Sequence, residues 1–262
     1  MGGSWMTLRR WSWVGACSTG TSHLRAGTGC DDAGACIEVD APLGSSLILV
    51  VSDGAGSAEH SSVGSQIVTR TFCESVDLFL RSGGAAFEIN TEVANEWIDD
   101  IRDRLAVAAR RKGTSLKAFA STLVGCVIQS DVTVVIHVGD GACALRLTGD
   151  SEWHVPSWPA QGEFASTTFF VTDDPYPNFR ITRTIGTVDE VAVFSDGLER
   201  LALDFGSKSA FAPFFDSMFN AIRDKEPGRQ RGLSASLRHF LDSSSVGERT
   251  DDDKTLVMAR RV

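Results

Sequence analysis

The order of the predicted elements assigns the chain to the α+β class, with mainly antiparallel sheets and helices packed outside them. Strand-like runs occupy the start and the middle of the 262-residue sequence, and two long helical stretches lie together between them. Alternating strand–helix units are absent, which disfavours a doubly wound parallel sheet. The length suits one large domain with a well-buried core, because two complete domains would each be small.

Strands are predicted where apolar residues alternate or run continuously between turns. The run 46–52 is apolar between its ends and predicts a buried strand that stops at Asp53, and Gly139-Asp140-Gly141 forms a turn between two strands. The predicted strands cover residues 11–18, 33–39, 46–52, 121–128, 133–138, 142–147, 167–171, 179–184, 190–195 and 255–260.

Helices are predicted where apolar residues recur at helical spacing. The stretch 62–80 stops at Ser82-Gly83-Gly84, and the stretch 90–112 stops at Gly113, because glycine readily ends a helix. Two further helical stretches lie near 210–224 and 229–241.

Composition and charge exclude several classes of protein. Hydrophobic residues make up 42% and charged residues 23%, as in ordinary soluble domains. The net charge of -9 argues against a nucleic-acid partner, because binding to a phosphate backbone needs clustered Lys and Arg. No run approaches about 18 apolar residues, so we expect no membrane span. We expect a monomer.

The cysteines and the N-terminus complete the domain prediction. Six cysteines lack CxxC spacing and are interpreted as reduced, mostly buried thiols of a cytoplasmic protein. Residues 1–10 are interpreted as an N-terminal extension, in part a cloning remnant, with Met6 as a candidate native start. Residues 11–262 are predicted to form a single domain.

Five segments of the chain share one design, in which an apolar strand leads into aspartates and a turn. Carboxylates at strand ends can converge in a cleft, and oxygen ligands without His or Cys favour Mg²⁺ or Mn²⁺. One Asp-Gly after a strand is usually only a turn, so the order of all five decides the interpretation. The segments are Cys30-Asp31-Asp32-Ala33, Val51-Ser52-Asp53-Gly54, His137-Val138-Gly139-Asp140-Gly141, Phe194-Ser195-Asp196-Gly197 and Thr250-Asp251-Asp252-Asp253-Lys254-Thr255.

In order and spacing this series resembles the PP2C (PPM) family of metal-dependent serine/threonine protein phosphatases, across nearly the whole chain. Asp53-Gly54 is similar to the family's first Asp-Gly, Asp196-Gly197 to its later Asp-Gly, and Asp252-Asp253-Lys254-Thr255 to its closing Asp-Asn-x-Thr/Ser. Finer similarities point to a compact bacterial branch. They lie in Gly20-Thr21-Ser22-His23, Gly29-Cys30-Asp31-Asp32-Ala33, Gly162-Glu163-Phe164-Ala165 and Thr168-Phe169-Phe170.

The resemblance implies a fold, a metal site and a reaction. The fold would be a four-layer α/β/β/α sandwich. Two Mn²⁺ or Mg²⁺ ions would activate a bridging water for direct attack on phosphoserine or phosphothreonine, without a phosphoenzyme. The substrate would be a phosphoprotein in a signalling system, either a target of a Ser/Thr kinase or the kinase itself.

The resemblance also implies the metal ligands. Asp53, Asp196 and Asp252 would hold the first ion. Asp53, the Gly54 carbonyl and either Asp31 or Asp32 would hold the second. Asp140 and Asp196 could share a weaker third ion. Asp251, next to Asp252, leaves a one-residue ambiguity, and Asp53 and Asp196 are the leading catalytic candidates.

Two departures from the family pattern concern the substrate. Ala55 stands where many members have the histidine proposed as general acid, and Gly27 stands near the position of the phosphate-binding arginine. His23 and Arg25 are the closest substitutes. Either could contact phosphate, and His23 could protonate the leaving alkoxide or only hydrogen-bond the sheet edge.

Two other functions remain open on sequence alone. The chain could be a phosphatase-like binding or sensing module with weak or lost catalysis. A haloacid-dehalogenase-type enzyme is disfavoured, because Val51-Ser52-Asp53-Gly54-Ala55 has one aspartate where that chemistry needs Asp-x-Asp.

Overall fold

A computed structural model of the protein describes residues 11–159 and 168–262. The extension predicted at residues 1–10 and the segment Gly162-Glu163-Phe164-Ala165 lie outside the described residues. None of the described helices is long and apolar enough to cross a bilayer.

The described chain begins with short elements and two long helices. In order these are β1 (Trp11–Ser18), α1 (Thr21–Ala26), β2 (Ala33–Ala41), β3 (Gly44–Ser52), α2 (Ser61–Arg81), α3 (Thr91–Lys112), β4 (Leu123–Gln129), β5 (Val132–Val138), β6 (Ala142–Leu147) and β7 (His154–Ser157). The second half contains β8 (Arg180–Ile185), β9 (Val188–Phe194), α4 (Glu199–Ala202), β10 (Leu203–Asp204), β11 (Ser209–Ala210), α5 (Ala212–Asn220), β12 (Gly228–Arg229), α6 (Arg231–Leu241), α7 (Ser244–Gly247) and β13 (Lys254–Arg261).

Two sheets form the centre of the molecule. One is six-stranded, in the order β12-β1-β13-β9-β6-β7, and the other is five-stranded, in the order β2-β3-β4-β5-β8. Their strands pair antiparallel except for the short parallel contact between β12 and β1. The strands β10 and β11 form a separate ribbon.

Three clusters of buried hydrophobic side chains hold the layers of helices and sheets together. Helices α2 and α3 pack on the five-stranded sheet through one cluster, and α5 and α6 pack on the six-stranded sheet through another. A third cluster fills the space between the sheets. The predicted α+β class and four-layer α/β/β/α sandwich are therefore confirmed.

Strand β3 was easy to predict because its apolar residues form one continuous run. Ile48 and Val50 face the helices, while Leu47, Leu49 and Val51 face the opposite sheet. Since both faces of β3 are covered, its apolar run is continuous rather than alternating.

Several elements differ from the prediction, and the short α4, α7, β10, β11 and β12 were not predicted. The strand predicted at 167–171 was wrong, since the described residues 168–170 have no regular secondary structure and a turn begins at Val171, where the Phe170 N–H donates to the Asp173 carboxylate. Helix α1 and strand β7 were not predicted. Helix α5 is shorter than expected at both ends and has a proline in its first turn, where that residue is tolerated.

Candidate metal centre

The pairing of the strands brings the predicted aspartates to one end of the two sheets. Asp32 precedes β2 and Asp53 follows β3, and these strands pair with Ala33 opposite Ser52. In the other sheet, Phe194 pairs with Ala142 on one side and Leu256 on the other. The residues just beyond these pairs are Asp196, Asp140 and Asp252.

Asp53, Asp140 and Asp196 each offer one carboxylate oxygen, and these oxygens lie within 4.8 Å of one another. This is the arrangement that holds a divalent cation with oxygen ligands. The side chains come from a strand end of one sheet, the β5–β6 turn and a strand end of the other sheet. The centre therefore spans both sheets.

Asp32 lies beside Asp53. One oxygen of its carboxylate accepts a hydrogen bond of 2.7 Å from Ser195 Oγ, which itself accepts from the Thr255 N–H at 2.9 Å. The other oxygen is buried and has no donor among the described residues. Burial raises the pKa of Asp32 to about 6, although hydrogen bonds oppose the shift. Ser195 is thereby occupied in orienting Asp32.

The crowding of carboxylates raises several pKa values. Burial raises the pKa of Asp196 to about 8, with the charges of Asp140 and Asp252 adding to the effect. Burial also raises the pKa of Asp53 well above its ordinary value, and the negative charges of Asp32 and Asp196 act in the same direction. Buried like charges are costly unless a cation compensates them.

Unpaired oxygens indicate where a cation would bind. Within the described residues, Oδ1 of Asp32, Asp140 and Asp196 is buried and has no hydrogen-bond partner. Such groups are rare in folded proteins because each unsatisfied oxygen costs free energy. The donor set fits Mn²⁺ or Mg²⁺, since it offers several oxygens and no soft ligand.

The glycines after two of the aspartates permit close backbone contacts. A Cβ atom on Gly54 would lie 2.7 Å from the Asp31 carbonyl oxygen and the Ser61 backbone, and one on Gly197 would lie 2.0 Å from the Asp253 carbonyl oxygen. Only glycine fits at either place without displacing the backbone.

Asp253 has a different environment, although its side chain is also buried. Its Oδ1 accepts from the Gly20 N–H at 2.6 Å and its Oδ2 from the Asp31 N–H at 2.5 Å. Both oxygens are thus used to hold the segment that carries Asp31 and Asp32. The exposed Asp251 also serves the backbone, because its carbonyl accepts from the N–H and Oγ of Ser22.

His23 lies against this scaffold. Its Nδ1 is 3.1 Å from the Gly29 carbonyl oxygen, 3.5 Å from Asp253 Oδ2 and 3.7 Å from Asp31 Oδ2. Burial lowers the pKa of His23, but the charge of Asp253 and the other nearby acids outweigh it, so the net shift is upward. Arg25, on the same helix, is exposed and forms no ion pair within the described residues.

Sequence reasoning missed three charged residues around the aspartates. A cleft of about 250 Å³ is lined by Asp196 and Asp252 together with Glu199, Arg200 and Arg249. Burial, followed by the charge of Asp140, raises the pKa of Glu199 to about 8. Glu199 stands only three residues after Asp196, a spacing that could have drawn attention to it.

Comparison with known proteins decides the family. The sequence profile described as "Protein phosphatase 2C" matches residues 19–242. The chain belongs to the protein phosphatase 2C family. This confirms the resemblance found in the sequence and the enzyme class, a serine/threonine protein phosphatase.

One curated relative and two solved structures illustrate the similarity. "Serine/threonine-protein phosphatase 3" of Escherichia coli strain K12 is 33% identical over 254 residues, covering 95% of this chain and 98% of the relative. Phosphatase Stp1 from Staphylococcus aureus has a TM-score of 0.59 at 18% identity, covering 99% of each chain. The catalytic domain of PstP, solved with two manganese ions, has a TM-score of 0.59 at 16% identity, covering 97% of this chain and 99% of the other. These two structures support the fold.

Proposed function

We propose that this protein phosphatase 2C member removes phosphate from phosphoserine and phosphothreonine in proteins, at a centre of two divalent cations. The observation that carries the proposal is the set of buried carboxylate oxygens without partners, contributed by Asp32, Asp140 and Asp196 beside Asp53. Membership of the family supports the same reaction.

The ligands proposed for the first ion are Asp53, Asp196 and Asp252. For the second we propose Asp53, the Gly54 carbonyl and Asp32. Asp32 is preferred to its neighbour because its buried Oδ1 has no hydrogen-bond partner among the described residues and because its charge adds to burial in raising the pKa of the Asp53 carboxyl. Asp140 with Asp196 would hold a weaker third ion.

Bound Mn²⁺ or Mg²⁺ would supply positive charge that stabilises the phosphoryl oxygens and would supply the activation that a water needs for direct attack on phosphorus. The carboxylates of the chain would give up their protons to bind the ions. The Ser195 hydroxyl, held by the Thr255 N–H, would keep Asp32 oriented.

A serine or threonine alkoxide needs a proton to leave. We propose that His23 donates it. Its upward-shifted pKa favours the protonated form, and its contact with Asp31 would place that proton beside the ligand segment. General acid catalysis of this kind typically contributes about 10²–10⁴-fold.

Phosphate binding is proposed for cationic side chains near the aspartates. His23 and Arg25 remain candidates from the sequence. Arg200 and Arg249 add to them, because both line the cleft that contains Asp196 and Asp252. A guanidinium there could pair with phosphoryl oxygens in a bidentate manner.

The proposal is tested with metal-stripped full-length enzyme on phosphoserine, phosphothreonine and phosphotyrosine peptides. Phosphate release should return with millimolar Mn²⁺ or Mg²⁺ and should be largest for the first two peptides. Turnover in excess EDTA after stripping would refute the metal requirement. No release with any peptide or with nitrophenyl phosphate would favour the alternative of a catalytically weak sensing module.

Three finer expectations stay predictions. These are a kinase-linked phosphoprotein partner, a monomeric state and a cytoplasmic location. The last is consistent with the six cysteines, all of which are free thiols and four of which are buried.

A further inference from the structure

A large cavity lies apart from the metal centre, between strands β1 and β2 and helix α6. Its volume is about 580 Å³, and it shares no lining residue with the cleft at Asp196. It exists because β12 pairs only with Ser12 and Trp13, so the rest of the β1 edge faces α6. Cavities of roughly 300–1,000 Å³ are the usual size for small-molecule sites.

Three arginines converge on this cavity. Arg231 and Arg238 are seven residues apart on one face of α6, and Arg229 comes from β12. No carboxylate is among the lining residues, and in the part of the chain that the structure describes none of the three forms an ion pair. On a chain of net charge -9, this is a concentrated positive site. The carboxylates of Asp32 and Glu38 act on the lining thiols of Cys17 and Cys36 but do not themselves line the cavity.

The other residues that line the cavity neither neutralise the positive charge of the arginines nor fill the cavity. Burial raises the pKa of the thiols of Cys17 and Cys36, so both stay neutral. Gly15 and Gly34 contribute no side chains to the opposite wall. At the rim, the guanidinium of Arg229 lies 5.3 Å from the centre of a Trp13 ring, which holds it in place.

The start of α6 adds to the positive potential. The helix begins at Arg231, and its preceding residue Gln230 makes no side-chain cap hydrogen bond. The first backbone N–H groups of a helix carry partial positive charge and bind phosphate readily. Ser234, one turn further on, also lines the cavity, and its buried hydroxyl donates to the Gln230 carbonyl and accepts from the Gly15 N–H, which ties the helix start to β1.

We propose that this arginine cavity binds an oligophosphate group, such as that of a nucleoside diphosphate or of inorganic pyrophosphate, at a site separate from the metal centre. Three guanidinium groups match a diphosphate better than a single phosphate group, because one phosphate carries only roughly -1.5 to -2 charge at neutral pH and a diphosphate carries more. Arginine also pairs with phosphate oxygens in a bidentate manner. The proposal does not depend on the catalytic function proposed above.

The test is isothermal titration calorimetry of the full chain in EDTA at fixed low salt, with pyrophosphate and with ADP as separate probes. One saturable site is expected. Because the variant loses charge-assisted hydrogen bonds to phosphate oxygens, Arg231→Gln/Arg238→Gln should bind at least about tenfold more weakly. The matched control is Arg110→Gln/Arg111→Gln, which removes the same charge from α3 and should bind within about twofold of wild type.

A second variant tests the same prediction independently, in case the first does not fold. Ala235→Glu places a carboxylate among the arginines and should also abolish binding, with nitrophenyl phosphate turnover retained in each variant. Equal affinity for both probes would assign the site to the phosphates, and tighter ADP binding would assign it to a nucleotide. The proposal is overturned if wild type binds neither probe at millimolar concentration, if the α6 variants bind normally, or if Asp196→Asn removes the binding instead.

Discussion

Asp196 and Asp253 are both shielded from solvent at strand ends of the six-stranded sheet, yet their surroundings differ. Asp196 has a buried oxygen without a partner, and burial among like charges raises its pKa to about 8. Asp253 accepts two short backbone hydrogen bonds, one on each oxygen. The first carboxylate is left ready for a cation, and the second fixes the loop that carries Asp31 and Asp32.

The difference shows that burial of an aspartate does not by itself indicate a ligand. What distinguishes the two is whether the lone pairs are already used. Substitutions of the two kinds of aspartate should therefore have different effects. Replacing a carboxylate that has an unpaired oxygen, such as Asp196, should lower turnover, and replacing a carboxylate whose oxygens are already bonded, such as Asp253, should lower the free energy of unfolding.

The largest effect is expected at the bridging position. Asp53→Asn removes the charge without changing the volume, so turnover should fall by about 10³-fold or more while the fold is kept. Asp196→Asn should behave similarly. Phosphate release and Mn²⁺ calorimetry measure the effect. Two tightly bound ions in the Asp53→Asn protein would show that the bridging assignment is wrong.

The next effect concerns the proton donor. His23→Ala should slow phosphopeptide turnover by about 10²-fold, because a serine alkoxide needs a proton and a nitrophenolate hardly does. Nitrophenyl phosphate turnover should change little, and the limb of the pH–rate profile due to His23 should disappear. Equal losses on both substrates, mainly through KM, would instead assign His23 to phosphate binding.

A smaller effect on activity is expected from Asp253→Asn. An amide offers one acceptor oxygen where the carboxylate offers two, so one of the two N–H groups loses its partner. The free energy of unfolding should drop by about 1–3 kcal/mol, while turnover stays within about tenfold of wild type. Urea unfolding measures the change, and Asp196→Asn, whose free energy of unfolding should not drop in this way, is the control. A thousandfold loss of turnover in Asp253→Asn with unchanged stability would contradict the structural role assigned to Asp253.

The smallest effect is a pH dependence of stability in the metal-free enzyme. Asp32, Asp196 and Glu199 have folded-state pKa values of about 6, 8 and 8. The folded state therefore binds more protons than the unfolded chain, and stability should fall as pH rises from about 4 to about 8.

Thermal melting in EDTA should show this as a loss of several degrees between pH 5.5 and pH 8. The loss should be smaller in Asp196→Asn and should be reversed by Mn²⁺. A melting temperature that rises over this interval would contradict the assigned shifts.

Most of the fold could be predicted because its strands are covered on both faces or alternate cleanly. The bounds of β1 and β6 agree with the predicted 11–18 and 142–147. Helix α1 escaped notice because none of its six residues is buried, so it has no apolar face to detect. Residues 168–171 are mostly apolar yet form no strand, since the Phe170 N–H donates to the Asp173 carboxylate and the Val171 N–H donates to the Ser121 carbonyl, which precedes β4.

The candidate site was only partly predictable. Aspartates followed by glycine at strand ends are visible in the sequence, and the structure brings Asp53, Asp140 and Asp196 together. Which oxygens are satisfied depends on distant backbone groups, so the scaffolding contacts of Asp253 could not be foreseen. The position of Arg249 could not be foreseen either, because it lines the same cleft as Asp196 although more than fifty residues separate them in the sequence.

The most direct test of the central claim is anomalous diffraction at the manganese edge, from crystals of the full chain grown with Mn²⁺. The account predicts two strong peaks about 3.5–4 Å apart, with Asp53 contacting both and no manganese at Asp253. A single ion that avoids Asp53, or an ion on the oxygens of Asp253, would contradict it.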